Sequence, residues 1–224
     1  MKTEEITLYM SYYAKAMQVF TKLLKIAFFD VFHDKVDKYW KDLYDDALKD
    51  KGGFFFKTIS GKGKRPNNDK EKETLYKSSL NWSTKKKINA FDLAEYMKQL
   101  MRIKPVRDAF YHYYGTYYNN DASKILAYII NTRNNYSHLN EVNSKEICTK
   151  EHFIEFIGNC KKFSSFCKKN NVSKKLKNSY KSLISCCDEL EKKVGYEPIK
   201  IKEFSEENDY TEQLVINCCK KYNI

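Results

Sequence analysis

The chain has 224 residues, 42% of them hydrophobic, enough to bury one large core or one core with an extension. Only 7 glycines and 3 prolines are present, few for a turn-rich β-protein, so an all-α fold is expected. Lys and Arg total 41 against 29 Asp and Glu, and the net charge of +12 suits an anionic partner such as nucleic acid or a membrane surface.

Residues 4 to about 49 contain no Gly or Pro and read as helix throughout. Ile6, Met10, Tyr13, Met17, Phe20, Leu24, Ala27 and Val31 alternate in steps of four and three, a seam-like apolar stripe. Val36, Trp40 and Leu43 extend it only after a shift of register. Such a helix either packs on the body of its own chain or serves as a dimer arm; the short, aromatic-rich seam favours the first.

Gly52-Gly53 stops the helix, and the chain to about Asp69 reads as a loop. Phe54, Phe55 and Phe56 anchor it, and Lys57, Lys62, Lys64 and Arg65 give it a basic tip. Ser60-Gly61-Lys62-Gly63-Lys64 superficially suggests a phosphate-binding loop. The spacing is wrong and Pro66 stands where a helix should begin, so nucleotide hydrolysis is excluded.

Residues 74 to 104 read as helix, interrupted near Asn81, with Leu93, Tyr96, Met97, Leu100 and Met101 on one face. Pro105 starts a new turn, and Val106, Phe110, Tyr113 and Tyr114 carry the pattern to Gly115. Asn119-Asn120-Asp121 leads into the next helix, from about Ala122 to His138, with Asp121 as the expected cap. A helix from Thr149 places Phe153, Phe156, Ile157, Cys160 and Phe163 on one face, and a further one runs from a cap at Ser173 to Gly195. Three segments follow: an N-terminal helical extension with its basic loop (1–75), a helical bundle (76–195), and a linker with a short helix (196–224).

Seven cysteines, with two adjacent pairs and no C-x-x-C, are neither a disulfide framework nor a zinc site. Free thiols fit a cytoplasmic protein. The first residues lack the order of a signal peptide, and no apolar run is long enough to span a membrane, so no membrane association is expected.

The chemistry sits in residues 131 to 140, Asn-Thr-Arg-Asn-Asn-Tyr-Ser-His-Leu-Asn. On a regular helix, Ala122, Ile125, Leu126, Ile129 and Tyr136 form the buried stripe, with Arg133 at its edge. Ser137, Asn134 and His138 follow within about 140° of Arg133. No Asp or Glu occurs between Asp121 and Glu141, so this helix offers Arg133 no carboxylate. A phosphate matches the guanidinium fork, and His138 can exchange a proton near neutral pH. An Arg, a His and an amide make a poor metal site but a workable phosphodiester-cleaving one. RNA brings its own nucleophile, the 2′-OH. His138 would move the proton, Arg133 would stabilise charge at phosphorus, and Asn134 would position the His or the phosphate. The chemistry calls for no cofactor. The basic tip of Lys57, Lys62, Lys64 and Arg65, together with Ser137, is expected to contact RNA.

Arg133-Asn134-Asn135-Tyr136-Ser137-His138 resembles the R-x4-6-H motif of the HEPN superfamily. The polar residue after the Arg and the small residue before the His match its usual form. Upstream, Phe91-Asp92-Leu93-Ala94-Glu95-Tyr96-Met97 and the stretch from Val106 to Phe110 are similar to the branch fused to PIN-type nucleases. The resemblance covers roughly residues 85 to 170. It implies a HEPN-like helical bundle, often a homodimer with facing motifs, and metal-independent RNA cleavage in toxin, antiphage defence or RNA-processing roles. Some members only bind RNA or nucleotides, so the alternative expectation is a non-catalytic HEPN module that binds RNA or a partner protein. Asn140 stands where some HEPN toxins carry a modifiable Tyr, which puts that form of control in doubt.

Overall fold

The computed structural model describes residues 3–34, 36–40, 68, 70–71, 87–138, 145–167 and 172–195. The fold is all-α. Among the described residues the main helices are α1 (Thr3–Phe32), α2 (Leu93–Arg102), α3 (Lys104–Tyr113), α4 (Asn120–Ser137), α5 (Lys150–Ser165) and α6 (Lys174–Gly195), with a 3-10 turn at Ile88–Ala90. The basic loop at 57–65, the expected helical break near Asn81, the segment boundary at 75/76 and the C-terminal segment from 196 lie outside the described residues.

Helix α1 is packed on the body of its own chain. Tyr13, Met17, Phe20, Leu24 and Ala27 of the expected stripe are buried, and so are Ala16, Leu23, Phe28 and Phe32. A narrow seam serves one partner helix. α1 needs a broad apolar face because it packs against α2, α3, α5 and, most extensively, α6. α1 is also shorter than expected: it stops at Phe32 instead of running to residue 49. His33 adopts a left-handed backbone (φ 57°) while its N–H still donates to Phe29 O at 2.8 Å. That break resolves the register shift seen in the sequence. Val36 and Trp40 turn back into the core, and Trp40 Nε1 donates to the buried Gln99 Oε1 at 3.2 Å.

Local chemistry sets the other helix ends. Asp92 and Glu95 form a reciprocal capping box at the start of α2. Pro105 lies in the first turn of α3, where its missing N–H costs nothing, and Ile103 before it is extended (φ −106°, ψ 92°). Gly115 ends α3 at φ 65°; its N–H donates to His112 O, and the N–H of Thr116 donates to Tyr111 O, a Schellman closure. Asn119, not Asp121, caps α4: its side chain accepts from the Ala122 N–H at 2.9 Å. Asp121 sits inside the first turn, where its charge still favours the helix N-terminus. Ser173 caps α6, as expected, and Thr149, where a helix was expected to start, is the cap of α5.

A single buried cluster joins α1 to α6. Aromatic rings carry much of it: Tyr13 against Phe153 and Phe156, Phe20 against Phe163, and Phe28 against Tyr96 and Phe110. Buried tyrosine hydroxyls donate to backbone carbonyls, Tyr96 to Ile88, Tyr114 to Ala27 and Tyr13 to Ile147. Each satisfies a polar group that would otherwise cost about 1–3 kcal/mol to bury. No described helix is long and apolar enough to cross a membrane.

Candidate active site at the end of helix α4

Helix α4 divides along its length. Ala122, Leu126, Ile129 and Thr132 are buried, Ile125 and Tyr136 are half-buried against the core, and the last turn rises to the surface. Tyr136 anchors that turn by resting on Tyr13, with ring centroids 6.3 Å apart. With one face pinned, Arg133, Asn134, Ser137 and His138 fall on the outer side. Asn134 and His138 are exposed; Arg133 and Ser137 are half-buried. The wedge of polar groups anticipated from the sequence is therefore present.

Arg133 has a carboxylate partner, supplied by a different helix. Its Nη2 donates to Asp92 Oδ2 at 3.3 Å, and its Nη1 donates to Asn134 Oδ1 at 3.4 Å. Asp92 Oδ1 meanwhile accepts the Glu95 N–H at 2.8 Å, and the Asp92 N–H donates to Glu95 Oε2 at 2.9 Å. One carboxylate thus caps α2 and steers the guanidinium. The bond to Arg133 is long, and the side chains are 27% and 58% exposed, so the pair is a weak, solvated one.

His138 is the C-cap of α4. Its backbone leaves the helix (φ −120°, ψ 44°), and its N–H donates to Asn134 O at 2.9 Å. The four motif residues thus share one helix end, with Arg133 and Asn134 joined directly and His138 tied to Asn134 through the backbone. The other expected RNA contacts, Lys57, Lys62, Lys64 and Arg65, lie outside the described residues.

Sequence reasoning missed two residues. Asp92 carried a readable signal as a helix cap, three residues before Glu95 and ahead of an apolar run. Nothing local could link it to an Arg 41 positions away. His152 has no motif around it in the sequence, yet it is half-buried. Its Nδ1 lies 2.8 Å from Tyr13 Oη, and its ring stacks on Tyr128 at 5.4 Å and 29°. Tyr13 gives its one hydroxyl proton to Ile147 O, so His152 donates from Nδ1–H. Burial lowers the His152 pKa, partly opposed by Glu146 and Glu155.

The described cysteines, Cys148, Cys160, Cys167, Cys186 and Cys187, are free and buried. Burial pushes the Cys148 thiol up to about 11 and the Cys187 thiol up to about 12, so neither is a ready nucleophile. Among the described residues, no three His, Cys, Asp or Glu side chains gather as a metal site.

A scan of protein-family models found no match to this chain, and searches of curated proteins and of solved structures found none either.

Proposed function

We propose that this chain is a HEPN-type endoribonuclease that cleaves RNA by attack of the RNA's own 2′-OH, with Arg133 and His138 as the working pair. The observation that carries it is the shared emergence of Arg133, Asn134 and His138 at one solvent-facing helix end, with the guanidinium oriented from outside the helix by Asp92. His138 takes the 2′-OH proton or returns one to the leaving 5′-oxygen. Arg133 neutralises charge that grows on the phosphoryl oxygens. Asn134, bonded to Arg133, holds the guanidinium or the phosphate in register. The chemistry needs no cofactor. One Arg and one His per chain make a thin site, and a two-fold homodimer with facing motifs would double the phosphate-binding charge. Cytoplasmic RNA, in a toxin, defence or processing role, is the proposed substrate setting.

A second reading has one observation in its favour. Arg133 already has Asp92 as a partner, so its charge is accommodated without any substrate. Under that reading the chain is a non-catalytic HEPN module that binds RNA or a partner protein. Labelled RNA incubated with wild type, Arg133→Ala and His138→Ala separates the two. The nuclease reading expects wild-type cleavage and a loss of at least a hundredfold in each variant, with helical circular dichroism unchanged. Asn134→Ala should lose less. Equal cutting by wild type and His138→Ala would refute the assignment.

A further inference from the structure

Helices α1 and α6 run antiparallel. Ser173 Oγ donates to Asp30 Oδ2 at 2.7 Å near one end of the pair, and Lys15 meets Glu189 at 3.0 Å near the other. The two ends differ in charge. At the Lys15 end the charges are matched: Glu189 also meets Lys193 at 3.2 Å, and Lys161 of α5 meets Asp188 at 2.7 Å and Glu191 at 2.8 Å. At the Asp30 end they are not. Residues 16–29 of α1 carry Lys22 and Lys25 and no acid, while residues 173–187 carry Lys174, Lys175, Lys177 and Lys181 and no acid. All six lysines are exposed, and none makes an ion pair with a described residue. The acids beside them are already engaged, Asp30 by Ser173 and Asp34 by Lys87 at 3.2 Å.

An aromatic ring stands in this basic end. Phe29 is 49% exposed and follows Lys22 and Lys25 at helical spacing, on the outward stripe of α1. The Asp30–Ser173 bond brings it beside the start of α6, where Lys174 and Lys175 lie. Phe29 is 16 residues, about 24 Å of helix, beyond the Tyr13 that supports the α4 site. The face is therefore separate from the residues already assigned.

We propose that this end of the α1–α6 pair is a docking face for single-stranded RNA, with the lysines on phosphates and Phe29 stacked on an unpaired base. Lysine rows that follow a backbone and an exposed ring that receives a base are the two parts of a single-strand binding surface. A stack of this kind needs an unstacked base, which a duplex does not offer. A lipid surface fits less well. An interfacial helix must turn a broad apolar face outward, and α1 and α6 both bury theirs in the core. The proposal rests on the ribonuclease reading only in naming RNA as the polyanion.

The test uses the full chain and a 2′-O-methyl oligouridine of about 20 nucleotides, which resists 2′-OH cleavage, titrated over a salt series. Compared with wild type, a variant with all six lysines changed to Gln should bind more weakly. Its log–log salt slope should be shallower by about 0.7 for each phosphate that the variant no longer neutralises. Phe29→Ala should weaken binding roughly tenfold at nearly unchanged slope, because stacking is not ionic. Phe29 is half-exposed, so circular dichroism should stay at the wild-type signal. An unchanged slope in the lysine variant overturns the face, even if wild type still cuts RNA. Binding to phosphatidylserine vesicles without binding to the oligonucleotide also overturns it. Lysine-dependent binding by a wild type that cuts nothing would keep the face and sink the nuclease reading instead.

Discussion

Asp92 offers a perturbation whose parts can be separated, because its two oxygens serve different partners. Oδ1 caps α2 through the Glu95 N–H, and Oδ2 holds Arg133. Asp92→Asn keeps an oxygen for the cap and removes the charge. Asn and Asp are about equal as N-caps, so the cap term should hardly move. The ion pair is long and partly solvated, and such pairs contribute about 0–1 kcal/mol. Asp92→Ala removes the cap as well, which costs about 1 kcal/mol. Urea unfolding should therefore place Asp92→Ala about 1 kcal/mol below Asp92→Asn, with Asp92→Asn close to wild type. Cleavage should rank differently. Both variants release the guanidinium, so both should lose kcat by a similar factor, on the order of tenfold, with KM less affected. If Asp92→Asn unfolds as easily as Asp92→Ala, charge rather than capping dominates and the division of labour is wrong. If Asp92→Asn cuts RNA at the wild-type rate, Asp92 does not position Arg133.

Cleavage should survive EDTA and leave a 2′,3′-cyclic phosphate or its 3′-phosphate product, because an Arg, a His and an amide suit 2′-OH attack; activity abolished by EDTA and restored by magnesium would refute that chemistry. Light scattering at assay concentration should show a dimer, and a fully active monomer would remove facing motifs from the mechanism. His152 should make stability fall in mild acid. Burial lowers its folded pKa below the usual 6.5, so the unfolded chain takes up a proton first as the pH drops through that value, and stability is lost from there downward. His152→Asn keeps a donor near Tyr13 and does not titrate, so its melting temperature should be flatter than wild type between about pH 7 and 5. Parallel curves would assign the acid sensitivity to other groups.

Helix positions were legible wherever apolar spacing and capping chemistry agreed. The α5 face of Phe153, Phe156, Ile157, Cys160 and Phe163 is buried as read, and Thr149 and Ser173 are the caps. The end of α1 was not legible, because a residue such as His33 gives no local sign of entering the left-handed region. The sequence showed only its consequence, the register shift at Val36. The α4 cap was misplaced by two residues because Asn119, Asn120 and Asp121 are all good capping types and only the backbone selects among them. At the site, the polar wedge followed from helix periodicity alone. Asp92 and the Tyr13–His152–Tyr128 cluster did not, since both are long-range pairings that one helix cannot announce.

The proposed division of labour between Arg133 and His138 rests on how the end of α4 holds each of them. Arg133 needs a fixed direction, and it gets one from backbone bonds behind it, from Tyr136 packed on Tyr13, and from Asp92 on a neighbouring helix. The negative end of the helix dipole adds about 0.3–1 kcal/mol of preference for a cation there. His138 stands where the helix has just ended, its backbone outside helical geometry and its N–H donating to Asn134 O. In the proposed cleavage His138 takes the 2′-OH proton or returns one to the leaving 5′-oxygen, and these two oxygens lie on opposite sides of the phosphorus. Under the proposed cleavage, the guanidinium is fixed from behind while the imidazole stands past the last helical turn, and moving either residue a full turn back into α4 should abolish cutting.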